Sequence, residues 1–205
     1  MSDEGVDLKR RRFLTGSTAA VGAVGVGAMA WFFVKYMSKS NKAEALGAPV
    51  DVDISKLQPG QKIVVEWRSQ PVWVIRRTKQ MLDDLKVLRP KLKDPDSKNT
   101  DQQPPYIKGE FRSLKNEYMV AIGLCTHLGC SPKQVNKTDV HELGPDWLGG
   151  FLCACHGSKF DFAGRVYSGV PAQSNLLIPP HKYLSDTSIL IGVDTEDGQD
   201  KKGAA

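Results

Sequence analysis

The segments CTHLGC, residues 125–130, and CACHGS, residues 153–158, decide how this chain is read. The 205-residue sequence has four cysteines, and all of them fall in these two hexapeptides: Cys125 with Cys130, and Cys153 with Cys155. A histidine stands in each box. Cys125 and His127 are separated by one residue, Cys153 and His156 by two. A soft thiolate and an imidazole from each of two loops make up four metal ligands, with Cys130 and Cys155 left as a balanced pair.

Three chemistries use such residues. A closed structural zinc site would take two cysteines and two histidines, but its spacing usually pairs cysteines with cysteines and histidines with histidines, whereas each box here mixes the two. Two disulfides would suit an exported domain but leave both histidines unexplained. A 2Fe-2S cluster with two cysteines on one iron and two histidines on the other uses both residue types. Neutral imidazoles in place of anionic thiolates make such a cluster less negative and a better electron acceptor.

The boxes resemble those of the Rieske iron-sulfur proteins, in particular the iron-sulfur subunits of bacterial cytochrome bc complexes. The resemblance extends over anchor, linker and head, and the boxes are its most specific part. It implies one 2Fe-2S cluster held by Cys125, His127, Cys153 and His156, with a disulfide between Cys130 and Cys155 closing the two loops. It also implies that Ser158 donates a hydrogen bond to a cluster sulfur and that GVPAQSNL, residues 169–176, forms a proline-bearing loop over the cluster. The implied function is electron transfer in a respiratory quinol:cytochrome c oxidoreductase. His156, as the quinol-facing ligand, and His127 are the catalytic imidazoles, taking a proton as the electron passes. The implied partners are quinol, cytochrome b and a membrane-bound c-type cytochrome, within a dimeric complex. The alternative is the Rieske subunit of a periplasmic oxidase such as arsenite oxidase, which cleavage after Ala45 would favour.

Three departures from the family stand out. NKTDVHELGPDW, residues 136–147, lengthens the stretch between the boxes and is expected to be a surface excursion. Ala154 stands where proline is frequent. Phe160 replaces a frequent tyrosine, so the second donor to the cluster is missing. His141 and His181, outside the boxes, are read as surface residues rather than ligands.

Outward from the boxes, the N-terminus carries Arg10, Arg11 and Arg12 followed by Phe13 and Leu14, the pattern of a twin-arginine export signal on residues 1–12. No charged residue occurs from 13 to 34, a helix of roughly 33 Å at about 1.5 Å per residue, enough to cross a bilayer. Residues 13–37 are therefore read as a single-pass anchor in the bacterial inner membrane, with small residues on one face and Trp31, Lys35 and Tyr36 at the far interface. The polar, alanine-rich stretch 38–50 reads as a flexible linker, and 51–205 as a periplasmic head. Short β-rich runs at 61–68, 71–77, 118–123, 147–153 and 188–193 make that head mainly β and antiparallel, with a small cluster-binding subdomain. One helix is expected at 78–88 and a surface loop at 91–106.

Charge excludes one class of partner. The net charge is +5, but seven of the 28 basic residues and three of the 23 acidic ones lie in residues 1–42. The remainder is nearly neutral and has no basic block interleaved with aromatics, so nothing marks a nucleic-acid surface.

Overall fold

The computed structural model describes residues 7–38, 47–139, 143–144 and 146–194. The chain divides into two units, Met1–Ala45 and Leu46–Ala205. In the first, helix α1 (Leu8–Met37) begins five residues before the expected span. Asp7 explains the early start, because its carboxylate accepts from Lys9 N (3.0 Å) and Arg10 N (3.2 Å) and satisfies two free donors of the first turn. The helix is long and apolar enough to cross a membrane. Most of the expected linker, residues 39–46, lies outside the described residues, as does His141.

The head contains nine strands in three antiparallel three-stranded sheets among its described residues. The strands are β1 (Val50–Asp53), β2 (Lys62–Trp67), β3 (Gln70–Arg76), β4 (Tyr118–Ile122), β5 (Lys133–Val135), β6 (Gly150–Cys153), β7 (Ser158–Phe160), β8 (His181–Ser185) and β9 (Ser188–Ile191). Their sheet orders are β1-β9-β8, β2-β3-β4 and β5-β6-β7. Helix α2 (Lys79–Val87) follows β3, with Thr78 accepting from Met81 N as its N-cap.

The middle sheet organises the rest, because β3 and β4 are apolar on both faces. Val72, Val74, Val120 and Ile122 join Val52, Ile54, Ile189 and Ile191 of the terminal sheet in one core. The alternate residues Trp73, Ile75, Met119 and Ala121 join Phe151, Phe160, Phe162, Cys125 and Cys153 in the other. Side chains alternate with a period of two along a strand, so a continuous apolar run such as PVWVI serves two cores at once. The cysteine boxes sit on the second core.

Several expectations need correction. Strands β5, β7 and β8 are short and lack a clean apolar alternation, so their sequences gave no signal. The stretch 136–147 is no mere surface excursion at its end: Trp147 is buried, stacks on Tyr167 at 5.7 Å between ring centroids and donates from Nε1 to Val135 O. The region 91–106 is only partly a surface loop. Leu92 is buried and bridges to Tyr167, and Lys93 N donates to Val166 O. His181 is 1% exposed, not a surface residue, and its Nδ1 lies 2.9 Å from Pro179 O.

Three arginines are also fully buried, all bonded to the segment 161–165 or its neighbours. Arg77 donates to Phe162 O, Phe111 O and Asn116 O, and Arg112 to Ala163 O, Gly164 O and Leu176 O. Arg165 pairs with Asp161 at 2.7 Å. Burial pushes the Arg77 and Arg112 guanidiniums down to about 10, still far above ambient pH, so both stay charged. Buried charge is tolerated when every donor finds a partner, and here backbone carbonyls supply most of them.

Candidate metal centre

Each box is a closed five-residue loop hung from a strand. Strand β4 leads through Gly123, where a side-chain carbon would fall 2.2 Å from the Trp73 ring, to Cys125. Gly129 N then bonds back to Cys125 O at 2.9 Å, and Cys125 N to Cys130 O at 2.7 Å. At the second box β6 ends on Cys153, β7 begins on its Cα partner Ser158, and Gly157 N bonds back to Cys153 O at 2.9 Å. Gly129 and Gly157 have φ of 79° and 74°, a left-handed geometry that glycine adopts freely. Two Cys-x-x-x-Gly stretches thus fold alike, and each carries a histidine inside the loop.

The side chains converge. Cys125 and Cys153 are free and buried, at 3% and 2% exposure. A disulfide joins Cys130 to Cys155, and the His127 and His156 rings lie 4.8 Å apart at 89°. His127 is half-buried and His156 exposed. Burial pushes the Cys125 thiol up, and the Cys153 thiol beside it adds to the rise. Hydrogen bonds from the His127 backbone N–H and the Ser158 hydroxyl oppose it.

The loop at 169–176 is tied to both boxes. Ala172 N donates to Ser158 Oγ at 3.1 Å, and Thr126 Oγ1 donates to Ser174 O at 2.6 Å. Asn175 is buried, accepting from Val166 N and donating to Asp94 O and Ser97 Oγ. Ser158 therefore belongs to the second box through its own strand, accepts from the third loop at Ala172, and has its hydroxyl near the Cys125 thiol. Phe160 is fully buried in the core that holds Cys125 and Cys153 and brings no polar atom to it.

The donor set suits a mixed sulfur and nitrogen metal group. The sulfurs of Cys130, Cys153 and Cys155 all lie within 4.8 Å of one another, but the two in the disulfide have no thiolate to give. Cys125, Cys153 and the two imidazoles remain, two soft sulfurs under the surface and two nitrogens toward it. Sequence reasoning missed Thr126, which joins the first box to the third loop, and Lys62, whose Nζ lies 4.4 Å from the Trp73 ring centroid. Neither had a signal, since a threonine and a strand lysine are ordinary surface residues until the tertiary contacts are known.

Comparison with known proteins identifies the family. The Rieske [2Fe-2S] domain profile matches residues 49–182, and the profile of the ubiquinol-cytochrome c reductase Fe-S subunit Tat signal matches residues 1–40. The ubiquinol-cytochrome c reductase iron-sulfur subunit of Allochromatium vinosum is 54% identical over 95% of this chain and 93% of its own. That of Bradyrhizobium diazoefficiens is 39% identical over 89% of this chain and 94% of its own. A chain of a hyperthermophilic respiratory complex III is 27% identical, with a TM-score of 0.45, over 85% of this chain and 98% of its own. The chain belongs to the Rieske [2Fe-2S] family. Its place there is among the iron-sulfur subunits of ubiquinol-cytochrome c reductase, an oxidoreductase, which decides against the periplasmic-oxidase alternative. Its cofactor is accordingly a 2Fe-2S cluster, and it is a membrane-anchored subunit carrying a Tat signal.

Proposed function

We propose that Cys125 and Cys153 hold one iron of the cluster and His127 and His156 the other, and that His156 meets the quinol. The observation that carries this reading is the pairing of two buried free thiols with two imidazoles 4.8 Å apart, the more exposed of which is His156. When bound, a cluster with this ligand set supplies a one-electron acceptor of raised potential.

The chain's own residues do the rest. His156 offers the ring nitrogen left free by ligation to a quinol hydroxyl, which can give up its proton there as its electron leaves. The Cys130–Cys155 bridge ties the two loops, so the imidazoles keep their mutual orientation. The Ser158 hydroxyl, which lowers the Cys125 thiol's pKa and is placed to donate to its sulfur, favours the more electron-rich state. The aromatic core below keeps water from the sulfurs.

The electron's destination is a c-type cytochrome, with cytochrome b and the quinol site as the other partners in a dimeric complex. The relatives' names, which pair ubiquinol with cytochrome c, support this. Residues 1–12 remain cytoplasmic under the positive-inside bias, 13–37 span the inner membrane and 38–50 link them to a periplasmic head at 51–205. The test is pulsed electron paramagnetic resonance on the reduced, histidine-15N-labelled protein. Two nitrogen couplings are expected, and Cys125→Ser and Cys153→Ser should each abolish the signal. A full signal in either variant would overturn the ligand assignment.

A further inference from the structure

The Cys153 sulfur lies within 4.8 Å of both sulfurs of the Cys130–Cys155 disulfide. A free thiol beside a disulfide is one displacement away from exchange, which proceeds by attack of one sulfur on another and needs no outside oxidant. We infer that loss of the cluster frees Cys153 to attack Cys130, moving the bridge from Cys130–Cys155 to Cys130–Cys153 and releasing Cys155 as a thiol. The inference rests on the proposed role of Cys153 as a cluster ligand.

The step balances within the chain. The Cys153 sulfur forms a bond to Cys130, the Cys130–Cys155 bond breaks, and the proton lost by Cys153 is taken up by the departing Cys155. No electrons enter or leave. The direction follows from position. Cys130 packs against the core that contains Cys153, whereas Cys155 is exposed, so its departing sulfur is solvated as it leaves. The reverse choice would join Cys153 to Cys155, two residues apart in one tight turn, a closure that disulfide geometry disfavours. The Cys125 sulfur does not lie within 4.8 Å of all three of these sulfurs, so Cys153 is the thiol placed beside both sulfurs of the bridge.

The cluster on this view has a second role: it occupies the one thiol able to undo the bridge that shields it. Losing the cluster would lock the loops in a pairing that leaves Cys155, not Cys153, free, and Cys153 is needed for reloading.

The experiment uses the full chain in its purified membrane complex. The cluster is removed anaerobically with a chelator, free thiols are trapped by acid quench and alkylation, and bridges are mapped by mass spectrometry. Loaded protein should give Cys130–Cys155 with Cys125 and Cys153 alkylated. Stripped protein should give Cys130–Cys153 with Cys125 and Cys155 alkylated. Two cluster-free variants serve as opposed controls: Cys125→Ser, which keeps the attacking thiol, should show the moved bridge, and Cys153→Ser should retain Cys130–Cys155. A stripped protein, and a Cys125→Ser variant, that both keep Cys130–Cys155 would overturn the inference, as would a bridge containing Cys125. Failure of the ligand reading is separately visible, since Cys153→Ser would then hold a full cluster.

Discussion

Removing the Ser158 hydroxyl tests how the three loops act together. In Ser158→Ala two bonds vanish: the proposed donation to the Cys125 sulfur and the acceptance from Ala172 N at 3.1 Å. The first bond favours the electron-rich state of the cluster, so its loss should lower the reduction potential. A hydrogen bond worth about 0.5–1.5 kcal/mol corresponds to about 20–65 mV for one electron, at roughly 59 mV per tenfold change. The second loss strands a backbone N–H at the fully buried Ala172, at a cost of about 1–3 kcal/mol. For a head of this size that is a fall in Tm of about 2–12 °C. The two effects are read separately, the potential by redox titration followed by electron paramagnetic resonance, the stability by thermal melting. An unchanged or raised potential at full cluster occupancy would refute the donor role, and a fall in Tm alone would make Ser158 a brace and nothing more.

Three further outcomes are expected. Phe160→Tyr puts a hydroxyl into the core beside Cys125 and Cys153, and if it donates to a ligand sulfur the potential rises by about 20–65 mV; a zero or negative shift in the same titration counts against it. Arg165→Leu leaves the Asp161 carboxylate buried without its cation, a loss of about 3–5 kcal/mol that chemical denaturation would measure. Burial pushes the pKa of His181 down, so the unfolded chain takes up a proton that the native state refuses. Stability is then complete above about pH 6.5 and falls as the pH drops below it. His181→Gln should flatten that slope between about pH 5 and 7, and identical melting profiles for the two proteins would exclude His181 as the cause.

The parts of this chain that were legible in sequence carry their chemistry in residue type and spacing. Cys125, His127, Cys153 and His156 stand out because few structural roles place thiols and imidazoles together, and the apolar run of α1 because nothing charged interrupts it. Strands β3 and β4 were visible from their β-branched and aromatic runs, although not their place between two cores, which depends on β1 and β9 coming from opposite ends of the head. Buried polar residues were the main loss. Arg77 and Arg112 look like surface residues because their partners are carbonyls distant in sequence, and His181 because its ring meets the carbonyl of Pro179; a carbonyl leaves no trace in a sequence. Asp161 and Arg165, four residues apart, were the one accessible hint. Trp147 was similarly misjudged, since a polar stretch around it concealed the aromatic that returns to stack on Tyr167.

The carbonyl-held arginines give the base of the site a particular chemical durability. Carboxylates that anchor cations elsewhere are discharged by acid, and exposed ion pairs fade as salt screens them. A peptide carbonyl does neither: it takes up no proton at any ordinary pH, and the guanidiniums of Arg77 and Arg112, 2% and 0% exposed, sit beyond the reach of small ions. At Arg77 and Arg112, therefore, the floor beneath the two boxes is held by contacts that neither acid nor salt removes.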